Sequence, residues 1–230
     1  MQFYIGTSGW MYDWNRENNF DWYYNNSGLN AVELNASFYR FPFPSQVKHW
    51  AKVGSGLAWA IKASRIVTHV HRLNENSYNA MNSFLSLFSA LDKDIHYYLF
   101  QLPPSFKANA IAVVEEFSRA FKNNRKFVFE FRDVEFFKEE VYRSFRKLQI
   151  TLASIDSPIG TYIVKTTSDI YLRMHGRKSW YSYNYSTKEL EDIAESIVEL
   201  EPRNAYVFFN NDHSMLGNAR KMLEIMRKLA

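Results

Sequence analysis

Short apolar segments occur along the whole chain, and each of them ends in polar or charged residues. Eight such segments are present: FYIGTS, AVELNAS, AWAIKAS, YYLFQLPP, FVFEFR, TLASID, IYLRMHG and YVFFNND. A (β/α)8 barrel has its active site at the C-terminal ends of its eight parallel strands. The pattern therefore predicts an α/β fold of the (β/α)8 TIM-type barrel class, with a polar pocket at the strand ends.

The segments between these strands have the spacing of amphipathic helices. The predicted helices cover residues 45–52, 74–91, 109–123, 134–148, 187–200 and 214–229. Ser45 is the predicted N-cap of the first helix, and Ser186 or Thr187 that of the fifth. The alternation of strand and helix indicates parallel βα units, in a barrel or in a doubly wound open sheet. Residues 157–169 contain proline and glycine without a helical stripe, so we expect an irregular connection between strands six and seven.

Length and composition indicate one domain that spans residues 1–230. The hydrophobic fraction of 47% suffices for a buried core, and no linker divides the chain. Cysteine is absent, which excludes disulfides, thiolate catalysis and cysteine-ligated metal sites. The net charge of +4 mildly favours anionic partners.

The sequence gives no sign of a membrane or secretory segment. No apolar run is long enough to span a bilayer. The chain passes from Met1 directly into the first predicted strand, without the charged and apolar regions of a secretory leader. We therefore expect a cytoplasmic protein with no membrane partner.

Three of the strand ends carry two polar residues that flank one apolar residue. Side chains alternate between the two faces of a strand, so Glu33 and Asn35 share one face. The same holds for Glu130 with Arg132 and for Arg173 with His175. These six side chains are predicted to face the barrel axis. Buried charges cost several kcal/mol each unless they pair, so they must pair with each other or bind a ligand.

The pairing alternative is a salt-bridge network that fills the barrel mouth. In it Glu130 pairs with Arg132, and Glu33 pairs with Lys62 or Arg173. The ligand alternative is favoured by uncharged polar groups at other strand ends. These are Ser8, Asn35, Gln101 and Asn210. Such groups orient a polar ligand, whereas a salt-bridge network does not need them.

The acidic strand ends and His175 are the candidates for acid–base chemistry or metal ligation. They comprise Glu33, Glu130, Asp156, His175 and Asp212. An oxygen-rich set suits Mg²⁺ or Mn²⁺ rather than Zn²⁺. No HExxH or comparable spacing supports a metal, so the cofactor stays unknown, with a divalent ion as one alternative.

Basic residues make the predicted pocket locally cationic. Lys62, Arg132 and Arg173 suit a phosphate or a carboxylate. Lys62 has a second interpretation as a Schiff-base nucleophile. His69, in the loop after the third strand, is either a general acid or base at the mouth or a surface residue. Aromatic residues around Trp10 and Trp180 either stack on bases or sugars or cover the barrel top.

Seven motifs in order along the chain resemble the domain-of-unknown-function 72 family, also called YecE-like. They are GTSGW (6–10), VELNASFYR (32–40), Lys62 with Thr68 and His69, QLPPSF (101–106), EFR (130–132), YLRMHG (171–176) and FNND (209–212). The resemblance covers nearly the whole chain and implies a TIM-type barrel. It implies no established activity.

The chain departs from the family's pattern at two places. After EFR the family usually has a histidine and then a tryptophan, where this chain has Asp133 and Phe136. After FNND it reads HSMLGNA, where the family tends to have Gly-Tyr-Ala before Asn-Ala. A role carried by that histidine does not transfer to Asp133.

These observations define two sets of candidate site residues. The catalytic candidates are Glu33, Lys62, Glu130, Asp156 and His175. The substrate-binding candidates are Ser8, Trp10, Asn35, Tyr39, His69, Gln101, Arg132, Arg173, Asn210 and Asn211. Some of the second set, such as Trp10, Tyr39 and Asn211, come from the resemblance rather than from the strand pattern.

Three functions fit these sets. The first is an enzyme that acts on a small anionic, phosphorylated or nucleic-acid-like substrate, such as a metal-assisted phosphoesterase, a hydrolase. The second is a non-catalytic nucleic-acid or nucleotide binder, whose binding would be sensitive to salt. The third is a metal-independent enzyme that acts on carbohydrates, with Glu33 and Glu130 as acid and base. The sequence leaves the oligomeric state open.

Overall fold

The computed structural model describes residues 1–229 as alternating strands and helices. The strands are β1 Gln2–Thr7, β2 Ala31–Leu34, β3 Ala58–Lys62, β4 Ile95–Gln101, β5 Phe127–Glu130, β6 Thr151–Leu152, β7 Ser154–Ser157, β8 Gly160–Tyr162, β9 Asp169–Met174 and β10 Asn204–Phe209. The helices are α1 Phe20–Asn26, α2 Pro44–Val53, α3 Tyr78–Leu87, α4 Ile111–Arg119, α5 Glu139–Leu148, α6 Thr187–Glu199 and α7 Met215–Leu229. The fold is mixed α/β.

The strands form two five-stranded sheets. One has the order β2-β3-β4-β5-β6 and is parallel throughout. The other has the order β1-β10-β9-β7-β8, in which only β8 is antiparallel to its neighbour. A parallel bridge between Ser8 and Glu33 connects the ends of β1 and β2. The single residue Ala153 separates β6 from β7, and its N–H donates to the carbonyl of Phe129 at 2.9 Å.

The eight predicted strand segments all contain strands, and the sixth is divided into β6 and β7. The six predicted helices are present and are mostly shorter than their apolar stripes suggested. Helix α1 is not among the predicted helices. The connection between strands six and seven is irregular, as predicted, and contains the short strand β8. Within residues 1–229, no helix combines the length and apolar character needed to cross a membrane.

The two predicted N-caps have different outcomes. Ser45 does not cap α2, because the helix begins one residue earlier at Pro44, after Phe43. Proline suits the first helical position because its φ is already helical, and the side chain of Gln46 accepts from the N–H of Phe43 at 2.9 Å. Ser186 caps α6, as predicted: its hydroxyl accepts from the N–H of Glu189, and the Glu189 carboxylate accepts from the N–H of Ser186.

One face of the strands, here called the inner face, buries a compact apolar cluster to which both sheets contribute. Its members are Ala31, Ala58, Ala60, Tyr97, Leu99, Val128, Ala153, Tyr171, Tyr206 and Phe208. A larger apolar core lies between the opposite face and the helices. Two positions further along a strand the side chain returns to the same face. Glu33, Lys62 and Glu130 therefore lie on the inner face, directly above this apolar cluster.

Gly6 brings β1 and β2 into close backbone contact. A methyl group at this position would lie 2.4 Å from the carbonyl oxygen of Ala31, which is backbone and cannot rotate away. We expect Gly6→Ala to lower the free energy of unfolding by about 1–3 kcal/mol, the usual cost of overpacking. Urea denaturation followed by circular dichroism measures this loss.

The matched control is Gly217→Ala in α7, where an added methyl group meets nothing within 4 Å. Alanine is the better helix former by about 1 kcal/mol. This control should keep or increase the free energy of unfolding. Equal stability of the Gly6→Ala protein and the wild type would contradict the close packing of β1 against β2.

Candidate functional site

The polar residues on the inner face gather at the C-terminal ends of the strands. This strand-end cluster comprises Ser8, Glu33, Asn35, Lys62, Gln101, Glu130, Arg132, Arg173, His175 and Asn210. Each member is one of the last two residues of a strand or lies within two residues after it. The fold therefore brings together residues far apart in the sequence. The cluster is the site that the alternation of polar and apolar residues predicts.

Arg173 on β9 lies at the centre of the strand-end cluster and is fully buried. Its Nε and Nη2 donate to the two carboxylate oxygens of Glu33 at 2.9 and 2.6 Å. Its Nη1 donates to Oε2 of Glu130 at 2.6 Å. One guanidinium thus holds a carboxylate from β2 and another from β5. Burial disfavours its charge, but Glu130 and Glu33 raise the pKa of Arg173 above its ordinary value.

Glu33 has no free hydrogen-bonding capacity. Besides Arg173, Oε1 accepts from the hydroxyl of Ser8 at 2.5 Å, and Oε2 accepts from the hydroxyl of Tyr171 at 2.6 Å. The network alternative is therefore confirmed for the Glu33–Arg173 pair. These four protein donors occupy the lone pairs of the carboxylate, so Glu33 has none left for a ligand.

Glu130 is held less completely. Its Oε2 accepts from Arg173 and lies 3.1 Å from Nε2 of His175. Its Oε1 lies 2.6 Å from Nε of Arg132, but neither atom has a hydrogen-bond partner, so this contact is an unaligned ion pair. Burial alone would raise the pKa of Glu130, but the charges of Arg132 and Arg173 hold it well below its usual range. Glu130 is an ionised carboxylate with one oxygen available.

His175 is buried and neutral. Burial lowers its pKa to about 3, against the opposing effect of Glu130. Because ionised Glu130 can only accept, Nε2 of His175 must carry the hydrogen. Nδ1 then faces the side-chain amide nitrogen of Asn210 at 3.4 Å. This chain of contacts fixes the tautomer and the orientation of the ring.

Arg132 follows β5 and is pressed against the aromatic residues after β9. Its guanidinium carbon lies 4.1 Å from the ring centre of Trp180 and 5.7 Å from that of Tyr181. The side chain is only 7% exposed. Within residues 1–229 its guanidinium makes no hydrogen bond, and its buried Nε lies 2.6 Å from Oε1 of Glu130 without hydrogen-bond alignment.

Lys62 ends β3 and is 9% exposed. Its Nζ lies 4.5 Å from the ring centre of Phe38, a cation–π contact, and has no ion-pair or hydrogen-bond partner among residues 1–229. Burial lowers the pKa of Lys62 to about 7, and Arg173 acts in the same direction, against Glu130 and Glu33. The network alternative does not hold for Lys62, which pairs with neither carboxylate.

His69 lies beside Lys62. Its ring packs edge-on against Phe38 at 5.0 Å, and its Nδ1 lies 2.9 Å from the hydroxyl of Thr68. Burial lowers the pKa of His69, and the charges of Lys62, Arg65 and Arg132 lower it further. The half-buried ring is therefore uncharged at neutral pH and lies at the edge of the strand-end cluster.

The uncharged members of the strand-end cluster are only partly used. The amide nitrogen of Asn35 donates to the carbonyl of Ser8 at 3.3 Å, while its buried Oδ1 has no partner. The amide nitrogen of Gln101 donates to the carbonyl of Leu102 at 3.0 Å. Ser8 is committed to Glu33. An acceptor on Asn35 thus remains for a ligand.

Asp156, one of the predicted catalytic candidates, does not belong to the strand-end cluster. On β7 it pairs in register with Met174 rather than with Arg173, so it points to the outer face. Its carboxylate accepts from the hydroxyls of Tyr185 and Thr161, both at 2.7 Å, and from Nε of Arg177 at 3.0 Å. These contacts anchor the loop between β9 and α6.

Three residues suggested by the resemblance alone also lie outside the strand-end cluster. Trp10 is buried among the rings of Phe20, Trp50 and Trp59 in the outer core. Tyr39 is 83% exposed. The buried amide of Asn211 donates to the carbonyl of Tyr183 and to Oδ1 of Asn218, each at 2.7 Å, and so supports the loop after β9.

Two residues contribute to the site without being among the predicted candidates. Tyr171 is part of an apolar strand, yet its hydroxyl is one of the four donors to Glu33. Phe38 lies against both Lys62 and His69. Alternation could have revealed Tyr171, since it precedes Arg173 by two positions on the same strand. Phe38 follows β2 in a single helical turn, and no spacing rule connects it with β3.

The residues present do not fit a divalent metal. Within residues 1–229, no group of three or more His, Asp or Glu side chains is arranged to hold an ion. Glu33 and one oxygen of Glu130 are already bound by Arg173. Asp133, which stands where the family usually has histidine, pairs with Lys107 and caps the N–H of Glu135.

Replacing Arg173 with Met should destabilise the protein severely. The change leaves Glu33 and Glu130 buried without their cation, and breaking a buried ion pair costs about 3–5 kcal/mol. Chemical denaturation at neutral pH measures the loss. The control Arg119→Met removes an exposed pair with Glu115 on α4, which should cost at most about 1 kcal/mol. Similar losses in both variants would contradict the central position of Arg173.

The neutral state of His175 predicts a pH dependence of stability. Its folded pKa of about 3 lies below the unfolded value, so only the unfolded state gains a proton as the pH falls. Between about pH 7.5 and about pH 5 this removes about 2 kcal/mol of stability from the wild type. His175→Gln should lack this part of the pH dependence. Chemical denaturation at the two pH values measures it.

His213 provides a control of opposite sign. The exposed pair with Asp13 raises the pKa of His213, so its contribution increases as the pH falls. His213→Gln should therefore make the wild-type decline slightly steeper. A decline in His175→Gln that equals that of the wild type would show that His175 is not buried and neutral.

Comparison with known proteins agrees with this fold. A DUF72 family protein from Thermotoga maritima MSB8 is 27% identical, with a TM-score of 0.85, and the match covers 99% of this chain and 100% of that chain. A DUF72 family protein from Enterococcus faecalis V583 is 18% identical, with a TM-score of 0.84 and coverage of 98% and 96%. Both likenesses extend over the whole fold.

A third similar structure is a D-psicose 3-epimerase with D-tagatose from Clostridium cellulolyticum H10. It is 12% identical, with a TM-score of 0.65 and coverage of 99% of both chains, so the likeness concerns the fold alone. No functionally curated protein matches the chain. The family described as "Protein of unknown function DUF72" matches residues 4–230, and the chain belongs to this family.

Proposed function

We propose that this chain is an enzyme whose active site is the strand-end cluster, and that its substrate is a small molecule with a phosphate or carboxylate group. Arg132 binds the anion, Lys62 is the reactive group, and Glu130 with His175 orients the substrate. The residues do not fit a divalent metal, so the proposal includes no metal-assisted hydrolysis.

The unused guanidinium of Arg132 is the observation that carries this proposal. A buried arginine normally donates hydrogen bonds to carboxylates or carbonyls, because a buried donor without a partner has lost its hydrogen bonds to water and gained none in return. Arg132 instead rests on the face of Trp180 and touches Glu130 out of alignment. Its planar fork matches two oxygens of a phosphate or carboxylate. An anionic substrate would supply the missing partners.

The charge balance of the strand-end cluster supports an anion of low charge. Arg132, Arg173 and protonated Lys62 face Glu33 and Glu130, while His175 is neutral. The cluster therefore carries at most about one excess positive charge. In a site shielded from water, such an excess attracts one anionic group strongly. This is a site for one group rather than for a polyanion.

Glu130 and Asn35 supply polar contacts for the remainder of the substrate. Oε1 of Glu130 and Oδ1 of Asn35 are buried acceptors that receive no hydrogen bond within residues 1–229. Each suits a hydroxyl or an amine of a ligand. Because Arg132 and Arg173 keep Glu130 ionised, it accepts a hydrogen bond rather than donating a proton.

The other functions fit these contacts less well. A nucleic-acid binder would present exposed cations to a series of phosphates, whereas Lys62 and Arg132 are buried in one cluster. A carbohydrate-acting pair of carboxylates would need Glu33 as a free acid or base, and Glu33 is fully bonded.

The proposal includes closure of the two sheets into one eight-stranded barrel. Support comes from the Ser8–Glu33 bridge between β1 and β2, and from the one-residue step at Ala153 between β6 and β7. Arg173 from one sheet also binds carboxylates from the other. Closure would place every member of the strand-end cluster around a single opening, as in TIM-type enzymes.

Anion binding tests the proposal directly. Inorganic phosphate, titrated into the purified protein, should bind and change the fluorescence of Trp180, which stacks on Arg132. We expect Arg132→Gln to weaken phosphate binding by about 10-fold or more, since a charged hydrogen bond is worth about 1.5–3 kcal/mol. Isothermal calorimetry gives the dissociation constants.

The control for this test is Arg119→Gln, which removes an exposed arginine of α4 far from the strand-end cluster. It should bind phosphate like the wild type. Circular dichroism establishes that both variants are folded. Equal phosphate affinity in Arg132→Gln and the wild type would reject Arg132 as the anion-binding residue and, with it, the proposed function.

A further inference from the structure

We infer that Lys62 forms an imine with a carbonyl carbon of the substrate, so that the substrate is an aldehyde or ketone that also carries a phosphate or carboxylate. This inference rests on the proposed function, because the anion bound by Arg132 directs the carbonyl group to the amine. It adds the substrate class and the first covalent step.

The position of Lys62 is that of a nucleophile rather than of a structural cation. A buried lysine that serves structure forms an ion pair, and two carboxylates are available in the same cluster. Arg173 binds both of them, Arg132 lies against the other oxygen of Glu130, and Lys62 has no ion-pair partner within residues 1–229. The Nζ lies over the ring of Phe38, which holds the side chain without using a lone pair or a hydrogen.

The electrostatic surroundings favour the uncharged amine, which is the reactive form. Burial and the neighbouring charges of Arg173 and Arg132 favour deprotonation, and Glu130 and Glu33 oppose it. With a pKa of about 7, roughly half of the Lys62 side chains carry a free lone pair at neutral pH. Desolvation beside other cations is a known way to activate an amine for attack on a carbonyl.

Lys62 ends β3 and Arg132 follows β5 of the same parallel sheet, so both lie at its C-terminal edge, which limits the size of the substrate. Both charges act on His69, and His69 and Lys62 pack against the same Phe38 ring. A molecule whose anionic group is bound by Arg132 can therefore present its carbonyl carbon to Nζ of Lys62. Only small molecules satisfy both contacts at once.

The step balances without a further reactant. The lone pair of Nζ attacks the carbonyl carbon, and the π electrons of the C=O bond move to oxygen, which takes up a proton. That proton comes from the attacking nitrogen, which then gives its second proton to the hydroxyl, so that water leaves as the carbon–nitrogen double bond forms. One amine and one carbonyl thus give one imine and one water. The neutral imidazole of His69, beside the same ring, is suited to carry the proton from nitrogen to oxygen.

Reductive trapping tests the inference in the wild-type protein. The probe is glyoxylate, an aldehyde with a carboxylate, in the presence of cyanoborohydride, whose hydride adds to the imine carbon and makes the bond permanent. Intact mass spectrometry should show one carboxymethyl group, and peptide mapping should place it on Lys62. At neutral pH we expect Lys62 to react at least about 10-fold faster than Lys188, whose pKa is raised by Asp192.

Two comparisons separate imine formation from anion binding. Arg132→Gln should slow the reaction with glyoxylate but not the reaction with acetaldehyde, which has no carboxylate. Inorganic phosphate should protect Lys62 from glyoxylate in the wild type. Lys62→Met should lose the rapid adduct, and peptide mapping in the wild type gives the answer even if this variant does not fold.

The outcomes distinguish the two proposals. Labelling of Lys62 at the rate of Lys188, together with phosphate binding that depends on Arg132, would overturn the imine and leave the proposed function intact. Rapid labelling of Lys62 by both aldehydes, without any effect of Arg132 or phosphate, would reject the anion site and so the proposed function and the substrate class. An adduct on Lys62 that is rapid and depends on Arg132 supports both.

Discussion

The buried guanidinium of Arg173 is the interaction on which the rest of the structure depends. Two carboxylates, Glu33 and Glu130, lie in the protein interior on strands of one sheet, and Arg173 comes from the other sheet. Removing these charges from water costs several kcal/mol for each ion, and only well-aligned pairing offsets that cost. The two sheets must therefore meet with this arginine between them.

The apolar cluster beneath the strand-end cluster follows from the same constraint. Small residues such as Ala31, Ala58 and Ala60 on three strand positions leave room for the rings of Tyr97 and Tyr171. This layer closes the inner space below the charges and keeps water away from them. In a water-excluded environment each aligned hydrogen bond to Arg173 is worth more than at the surface.

The strand-end cluster divides into a saturated half and an unsaturated half. Around Glu33 every oxygen is bonded, which suits a rigid support. Around Glu130, in contrast, one carboxylate oxygen and the nearby groups of Arg132 and Lys62 lack aligned partners. If every polar group of the cluster were hydrogen-bonded, a structural role alone would account for it. In the proposed function, a bound substrate completes the second half.

Alternation along the strands predicted most of this site, because period two is a local property that the sequence displays. Glu33, Glu130 and Arg173 were assigned to one face for that reason, and the fold brings them together. The partner of each charge was not predictable, since Arg173 and Glu33 lie 140 residues apart. Asp156 was misplaced because its face depends on its register with β9, which no local pattern shows.

The loop after β9 is held in place independently of the buried charges around Arg173. Trp180, which covers Arg132, belongs to this loop, and Asp156 holds the loop from outside through Tyr185 and Arg177. A substitution at Trp180 removes the ring from Arg132 without touching Arg173 or its carboxylates. The surroundings of Arg132 can therefore change while the ion pairs that join the two sheets stay in place.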